Sequence, residues 1–176
     1  MCMQQPTGKK VDGQVPESGK GKSERKRTFG RPKNESVEAR NERLIRWLNS
    51  PMDKMPLLAI TELCEAGREC MPAVMEALSH SDHNIRANAA TVMSQVGGPA
   101  ELRCLKMALS DRSPAVCAVA EMAIYEIIKR HLKEFDPKTV ESMAARLGGA
   151  YGRKLDRLLG KDVPEPPRSK GEDEDI

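Results

Sequence analysis

Ala77-Leu78-Ser79 returns as Ala108-Leu109-Ser110, and the correspondence runs far beyond these three residues. At a displacement of 31 residues, Val74 falls on Leu105, Leu78 on Leu109, Ile85 on Val116, Ala87 on Ala118, Ala89 on Ala120, Met93 on Ile124 and Val96 on Ile127. At a displacement of 30 in the other direction, Leu48 falls on Leu78, Met55 on Ile85, Leu57 on Ala87, Ala59 on Ala89, Leu63 on Met93 and Gly67 on Gly97. A unit of this length holds two helices and a turn but cannot bury an apolar stripe by itself. It is stable only when stacked on copies of itself, and about three are needed. The expected fold is therefore all-α: a short right-handed α-solenoid of about four helical hairpins.

Local signals place the helices. Asn34 reads as an N-cap with Glu35 and Glu38 in the first turn, and Val37, Leu44, Ile45 and Leu48 keep helical spacing up to Asn49-Ser50-Pro51. A second helix is expected over about 53–66, closed by Gly67, and a third over about 68–79 with Pro72 in its first turn. Asp82 caps a fourth over about 82–96, before Gly97-Gly98-Pro99. A fifth spans about 99–110, a longer sixth runs from Ser113-Pro114 to about Phe135, and Asp136-Pro137 opens a seventh over about 137–147. An eighth, about 150–159, completes an atypical and more polar last pair.

Charge separates this body from the rest of the chain. Residues 1–34 carry nine Lys or Arg against three acidic groups, residues 35–160 carry 17 of each sign, and residues 161–176 carry three basic and six acidic groups. The two ends have almost no large apolar side chains with which to offset ordering entropy. The expected organisation is a disordered basic tail at 1–34, the solenoid at 35–160 and a disordered acidic tail at 161–176. The core is aliphatic, because aromatic residues are only 3% of the chain and ten Met supply adaptable filling. Five cysteines, an odd number without a two-residue spacing, read as small buried hydrophobes in a reducing compartment. With no apolar run of bilayer length and no secretory signal at Met1-Cys2-Met3-Gln4-Gln5, the chain reads as soluble and cytoplasmic, not membrane-bound. Arg25-Lys26-Arg27 would serve as a nuclear address in a eukaryote.

The segment Asp82-His83-Asn84-Ile85-Arg86-Ala87-Asn88-Ala89-Ala90-Thr91-Val92-Met93 resembles the second helix of the short, phycobilisome-lyase-like HEAT repeat. An acidic cap is followed by an aliphatic-Arg pair, Ala-Ala and a large aliphatic residue. The similarity extends over roughly residues 40–135, although Cys117 and Pro56 stand where the middle copy has Arg86. The resemblance implies a scaffold that binds other proteins along the groove lined by the second helix of each pair. Deoxyhypusine hydroxylase, an enzyme with this repeat, holds iron through paired His-Glu motifs, and no His in this chain is followed by Glu.

The functional expectation is thus a non-enzymatic adaptor for a protein or peptide partner, with Asn84, Arg86, Asn88, Thr91 and Gln95 as the partner-binding residues and no cofactor. Arg86 also suits a hydrogen-bonding role between repeats. His80, Asp82 and His83 lie close in sequence, but Asp82 has a capping role and no third metal ligand is evident. The alternative is a nucleic-acid-associated protein. Gly30-Arg31-Pro32-Lys33 is similar to the core of an AT-hook, with Phe29 where a cation is usual, and Arg25, Lys26, Arg27, Arg31 and Lys33 would meet the phosphates. Lys129, Arg130, Lys133, Arg153, Lys154 and Arg157 form a second basic group that the last two hairpins could bring to one end.

Overall fold

The computed structural model describes residues 34–164. Both expected tails lie outside these residues, apart from Asn34 and residues 161–164. The described residues form eight α-helices and no strand: α1 (Val37–Trp47), α2 (Met55–Ala66), α3 (Met71–Ala77), α4 (His83–Val96), α5 (Leu102–Ala108), α6 (Pro114–Arg130), α7 (Pro137–Leu147) and α8 (Gly149–Leu158). Consecutive helices pair as α1–α2, α3–α4, α5–α6 and α7–α8, and the second helices touch in a row, α2 on α4, α4 on α6 and α6 on α8. This is the serial order of a short helical-repeat solenoid.

The period seen in the sequence is the register of the core. Leu44, Val74 and Leu105 are fully buried on the three first helices. Ala59, Ala89 and Ala120, and then Leu63, Met93 and Ile124, are fully buried on the three second helices. Each large side chain removed from water in this way contributes about 1.5–3 kcal/mol, and the alanines between them let neighbouring helix backbones approach. One matched set behaves differently. Leu57 is 67% exposed and Ala118 is exposed, so both lie outside the core, whereas the half-buried Ala87 packs at the edge of the cluster of Ala108, Val116 and Ala120. Gly67 and Gly97 also match for unlike reasons. Gly67 has φ +61°, a conformation that side chains disfavour, whereas a Cβ on Gly97 would lie 2.5 Å from the Met93 carbonyl oxygen and 3.2 Å from Ile127.

Several helix boundaries differ from the sequence expectation. The cap of α1 is Ser36, whose Oγ accepts a hydrogen bond from the Ala39 amide at 3.2 Å, and not Asn34. Glu35 therefore precedes the helix, and its carboxylate receives two 2.8 Å hydrogen bonds from Arg43. That guanidinium sits 4.4 Å from the Trp47 ring centroid, and the half-buried Trp47 packs against the core. Short 3-10 turns, Gly67–Cys70 and Pro99–Glu101, lead into α3 and α5, which makes both helices shorter than expected. The sixth helix stops at Arg130 and not near Phe135. His131 leaves helical geometry, a 3-10 turn follows at Leu132–Glu134, and the half-buried Leu132 and Phe135 return to the core.

Replacing Leu105 by Ala leaves a cavity where the stripe is fully buried and is expected to cost about 2–5 kcal/mol in urea unfolding. Met107→Ala on the same helix, at a side chain 74% exposed, is expected to change stability by less than about 0.5 kcal/mol.

Candidate functional site

On α4, Asn84, Asn88, Thr91 and Gln95 recur at steps of four and three residues and share the helix's exposed stripe. Asn84 and Gln95 are exposed, and Asn88 and Thr91 are half-buried. Arg86 is only 4% exposed and lies off this stripe. Its Nε and Nη2 donate to the two carboxylate oxygens of Asp111 at 2.8 Å each. Its Nη1 donates to the carbonyls of His80 and Ser81 at 2.9 Å each. Arg86 thereby ties the turn of its own hairpin to the turn of the next one. The role between repeats is the one the geometry supports for this residue.

The electrostatics agree with that placement. The hydrogen bonds from Arg86 hold the Asp111 carboxyl below its ordinary value of 3.8, against the opposing effect of burial. The Arg86 guanidinium is raised above its ordinary value by the same partner. Arg112 returns a bond in the other direction, donating to the Ser81 carbonyl at 2.8 Å. Cys117, at the position matching Arg86, donates its thiol to the Asp111 carbonyl at 3.2 Å. Asp111 matches His80 in the register, so the shorter side chain keeps the bond within its own turn and lacks the reach to the following hairpin.

Two of the asparagines also serve the scaffold. Asn88 Nδ2 donates to the Leu48 carbonyl at 2.8 Å, and Asn84 Nδ2 donates to Asn49 Oδ1 at 3.1 Å. Asn49 in turn donates to the Asp82 carboxylate at 2.5 Å, while Asp82 caps α4 through the Asn84 amide at 2.8 Å. Thr91 Oγ1 donates to the Ala87 carbonyl of its own helix at 3.1 Å. Among the five expected partner-binding residues, Thr91 and Gln95 make no side-chain bond to another hairpin.

The rest of the exposed surface follows from the register, a signal present in the sequence but not read there as surface. Leu57, Ala87 and Ala118 form one row across α2, α4 and α6, and Thr61, Thr91 and Met122 form the next. All six are uncharged and exposed or half-buried. Glu65, Gln95 and Glu126 border these rows on one side, and Lys54, Asn84 and Ala115 on the other.

Beyond Met122 the face continues to Tyr125 and Tyr151, whose ring centroids are 5.7 Å apart. Lys154 lies 4.7 Å from the Tyr151 centroid and 5.5 Å from that of Tyr125, with Lys129 at 5.7 Å from Tyr125. Of the six cations expected to converge, Lys129 and Lys154 are brought to the same ring. Glu126 lies 3.6 Å from the Lys129 ammonium. Arg130 is turned to the end of α4, where it donates to the Gly97 carbonyl at 2.9 Å and to the Ser94 carbonyl.

The remaining candidates resolve simply. His80 Nδ1 accepts from the Asp82 amide at 3.0 Å, within a turn. Among the described residues no group of three or more His, Cys, Asp or Glu is placed to hold a metal ion, and no helix is long and apolar enough to cross a membrane. The four described cysteines are free thiols. Cys70 is buried, donates to the Leu63 and Gly67 carbonyls at 3.2 and 3.1 Å, and is pushed up to about 11 chiefly by burial. Cys2 and the nucleic-acid candidates Arg25, Lys26, Arg27, Arg31 and Lys33 lie outside the described residues.

Helical hairpins stacked in series, tied turn to turn by arginine and asparagine, define the class: an α-solenoid repeat protein. Residues 41–124 match the family model for HEAT repeats, and the chain is a HEAT-repeat protein. HEAT repeats generally act as protein-interaction scaffolds and are typically non-catalytic. No curated protein matches the chain.

Asp111→Asn is expected to lower the urea midpoint at neutral pH. A carboxyl depressed in the folded state adds stability that is present above its unfolded value and is lost as pH falls through the folded one. The wild type should therefore lose more of its midpoint than the variant between about pH 5 and pH 3. Identical pH profiles would show that the pair adds nothing.

Proposed function

We propose that this protein is a non-enzymatic scaffold that binds a segment of a partner protein along the exposed face of α2, α4 and α6. The observation that carries the reading is the pair of uncharged rows, Leu57-Ala87-Ala118 and Thr61-Thr91-Met122, exposed or half-buried in a regular register. Covering such a surface removes apolar area from water, and the small side chains allow a partner's backbone to approach. The polar edge, with Asn84 on one side and Gln95 on the other, supplies donors and acceptors for orientation. Arg86, between the turns, and Asn88, through its bond to the Leu48 carbonyl, fix the spacing of the helices that present the rows. A phosphate backbone would require cations along this surface, and none of the six row residues is charged. Protein recognition therefore fits the face better than nucleic-acid recognition does.

The test is cross-linking of the full chain in cells, with quantitative mass spectrometry, for the wild type and for Thr91→Arg combined with Met122→Arg. The two cations stand in the second row and should leave the unfolding free energy from urea titration within about 0.5 kcal/mol of wild type, as surface substitutions do. The proposal expects specific partner cross-links to be depleted at least about tenfold in the variant. Equal recovery of the same partners by both proteins would refute it.

A further inference from the structure

On the other side of the hairpins from the exposed rows, a groove of about 630 Å³ opens between α1 and α3. Its size falls within the range of about 300–1,000 Å³ usual for ligand pockets. Ile45, Ala73, Ala77 and Ile85 give it an apolar lining. Four carboxylates surround that lining: Glu38 and Glu42, one turn apart on α1, with Glu69 and Glu76 on the α3 side. Glu69 is already answered by Arg40, whose Nη2 lies 2.9 Å away. Glu38, Glu42 and Glu76 have no ion-pair partner among the described residues, and Arg46 is the one Arg or Lys in the lining.

A second feature of the groove is independent of its charge. Asn41 lines it and is 6% exposed. The hydrogen bond that its side chain makes is one accepted by Oδ1 from Arg40 at 3.4 Å. Its amide NH₂ donates to no acceptor among the described residues, unlike the amides of Asn49, Asn84 and Asn88. That donor is not buried with the rest of the residue but open to the groove, where a ligand carbonyl can accept from it.

We propose that the α1–α3 groove binds a short basic peptide segment of a partner protein. One or two aliphatic side chains of that segment rest on Ile45, Ala77 and Ile85. Flanking Lys or Arg side chains meet Glu38, Glu42 and Glu76, and a backbone carbonyl accepts from the Asn41 amide. The sign of the charge excludes a phosphate-bearing ligand here. The surface is separate from the rows on α2, α4 and α6, so the chain would hold two segments at once, one on each layer.

Fluorescence anisotropy of the full-length chain tests this with a labelled synthetic peptide of about ten residues that combines Lys and Arg with two Leu. A control peptide carries Glu in place of every Lys and Arg. The basic peptide should bind, and the control should not. Glu42→Gln combined with Glu76→Gln should weaken binding by about fivefold, the effect of two partly exposed ion pairs, and the loss should shrink at high salt. Ala73→Trp fills the groove and should abolish binding. Should that variant lose its cooperative urea transition, the two Glu→Gln substitutions on exposed side chains still decide the matter. Thr91→Arg with Met122→Arg should bind the peptide as wild type does. The proposal is overturned if the basic peptide does not bind, if both peptides bind equally, if the Glu→Gln variant binds like wild type, or if the Thr91/Met122 variant is the one that loses binding.

Discussion

Close contact between successive second helices is the constraint on which the remainder of the molecule depends. Ala89 and Ala90 on α4, with Ala120 and Ala123 on α6, are completely buried, and α4 and α6 form the most extensive helix pair among the described residues. A larger side chain at this seam would separate the helix axes and open voids beside Met93 and Ile124. Interiors packed at crystal-like density tolerate such changes poorly. Because the row is continuous, the spacing at the seam sets the distance between neighbouring turns. It therefore also sets whether a side chain on one hairpin can reach the next.

The polar links across the turns depend on that distance. Arg86 spans from its own turn to Asp111 with a planar, two-bonded geometry that specifies orientation as well as proximity. Arg130 satisfies carbonyls at the end of α4 that have no partner within the helix. Buried Glu101 receives the Gly98 amide at 2.7 Å and Arg68 at 3.1 Å. Burying charge is costly without complete partners, so these groups fix the register between hairpins, while the aliphatic core drives their association. Among the described residues one Arg–Asp pair of this kind links the turns. Cys117 ends the series where the atypical α7–α8 pair begins.

The two layers of the solenoid then present surfaces of different chemistry. The second helices expose small and apolar side chains in rows. The first helices enclose a groove with an apolar lining and an acidic border. Both follow from the same fact. A helix in a two-layer stack buries one stripe against its own hairpin partner and further stripes against its neighbours, which leaves a narrow strip of each helix free to vary in chemistry without cost to the fold.

The 30- and 31-residue displacements determined the fold, because apolar periodicity reports burial directly and the stacking needs nothing else. Leu44, Val74 and Leu105, with Ala59, Ala89 and Ala120, stand in the core as the alignment of copies implies. Periodicity did not distinguish the buried copies from Leu57, Ala87 and Ala118, since an apolar residue repeated on an outward strip gives the same pattern. The true cap Ser36 and the end of α6 at Arg130 also depended on how the chain returns to the core. The tertiary structure alone decided the side-chain partners. Arg86 and Asp111 are 25 residues apart, Asn88 and Leu48 are 40 apart, and no local rule of spacing brings them together. The same holds for the α1–α3 groove, whose glutamates come from two hairpins and become one surface only once those hairpins stack.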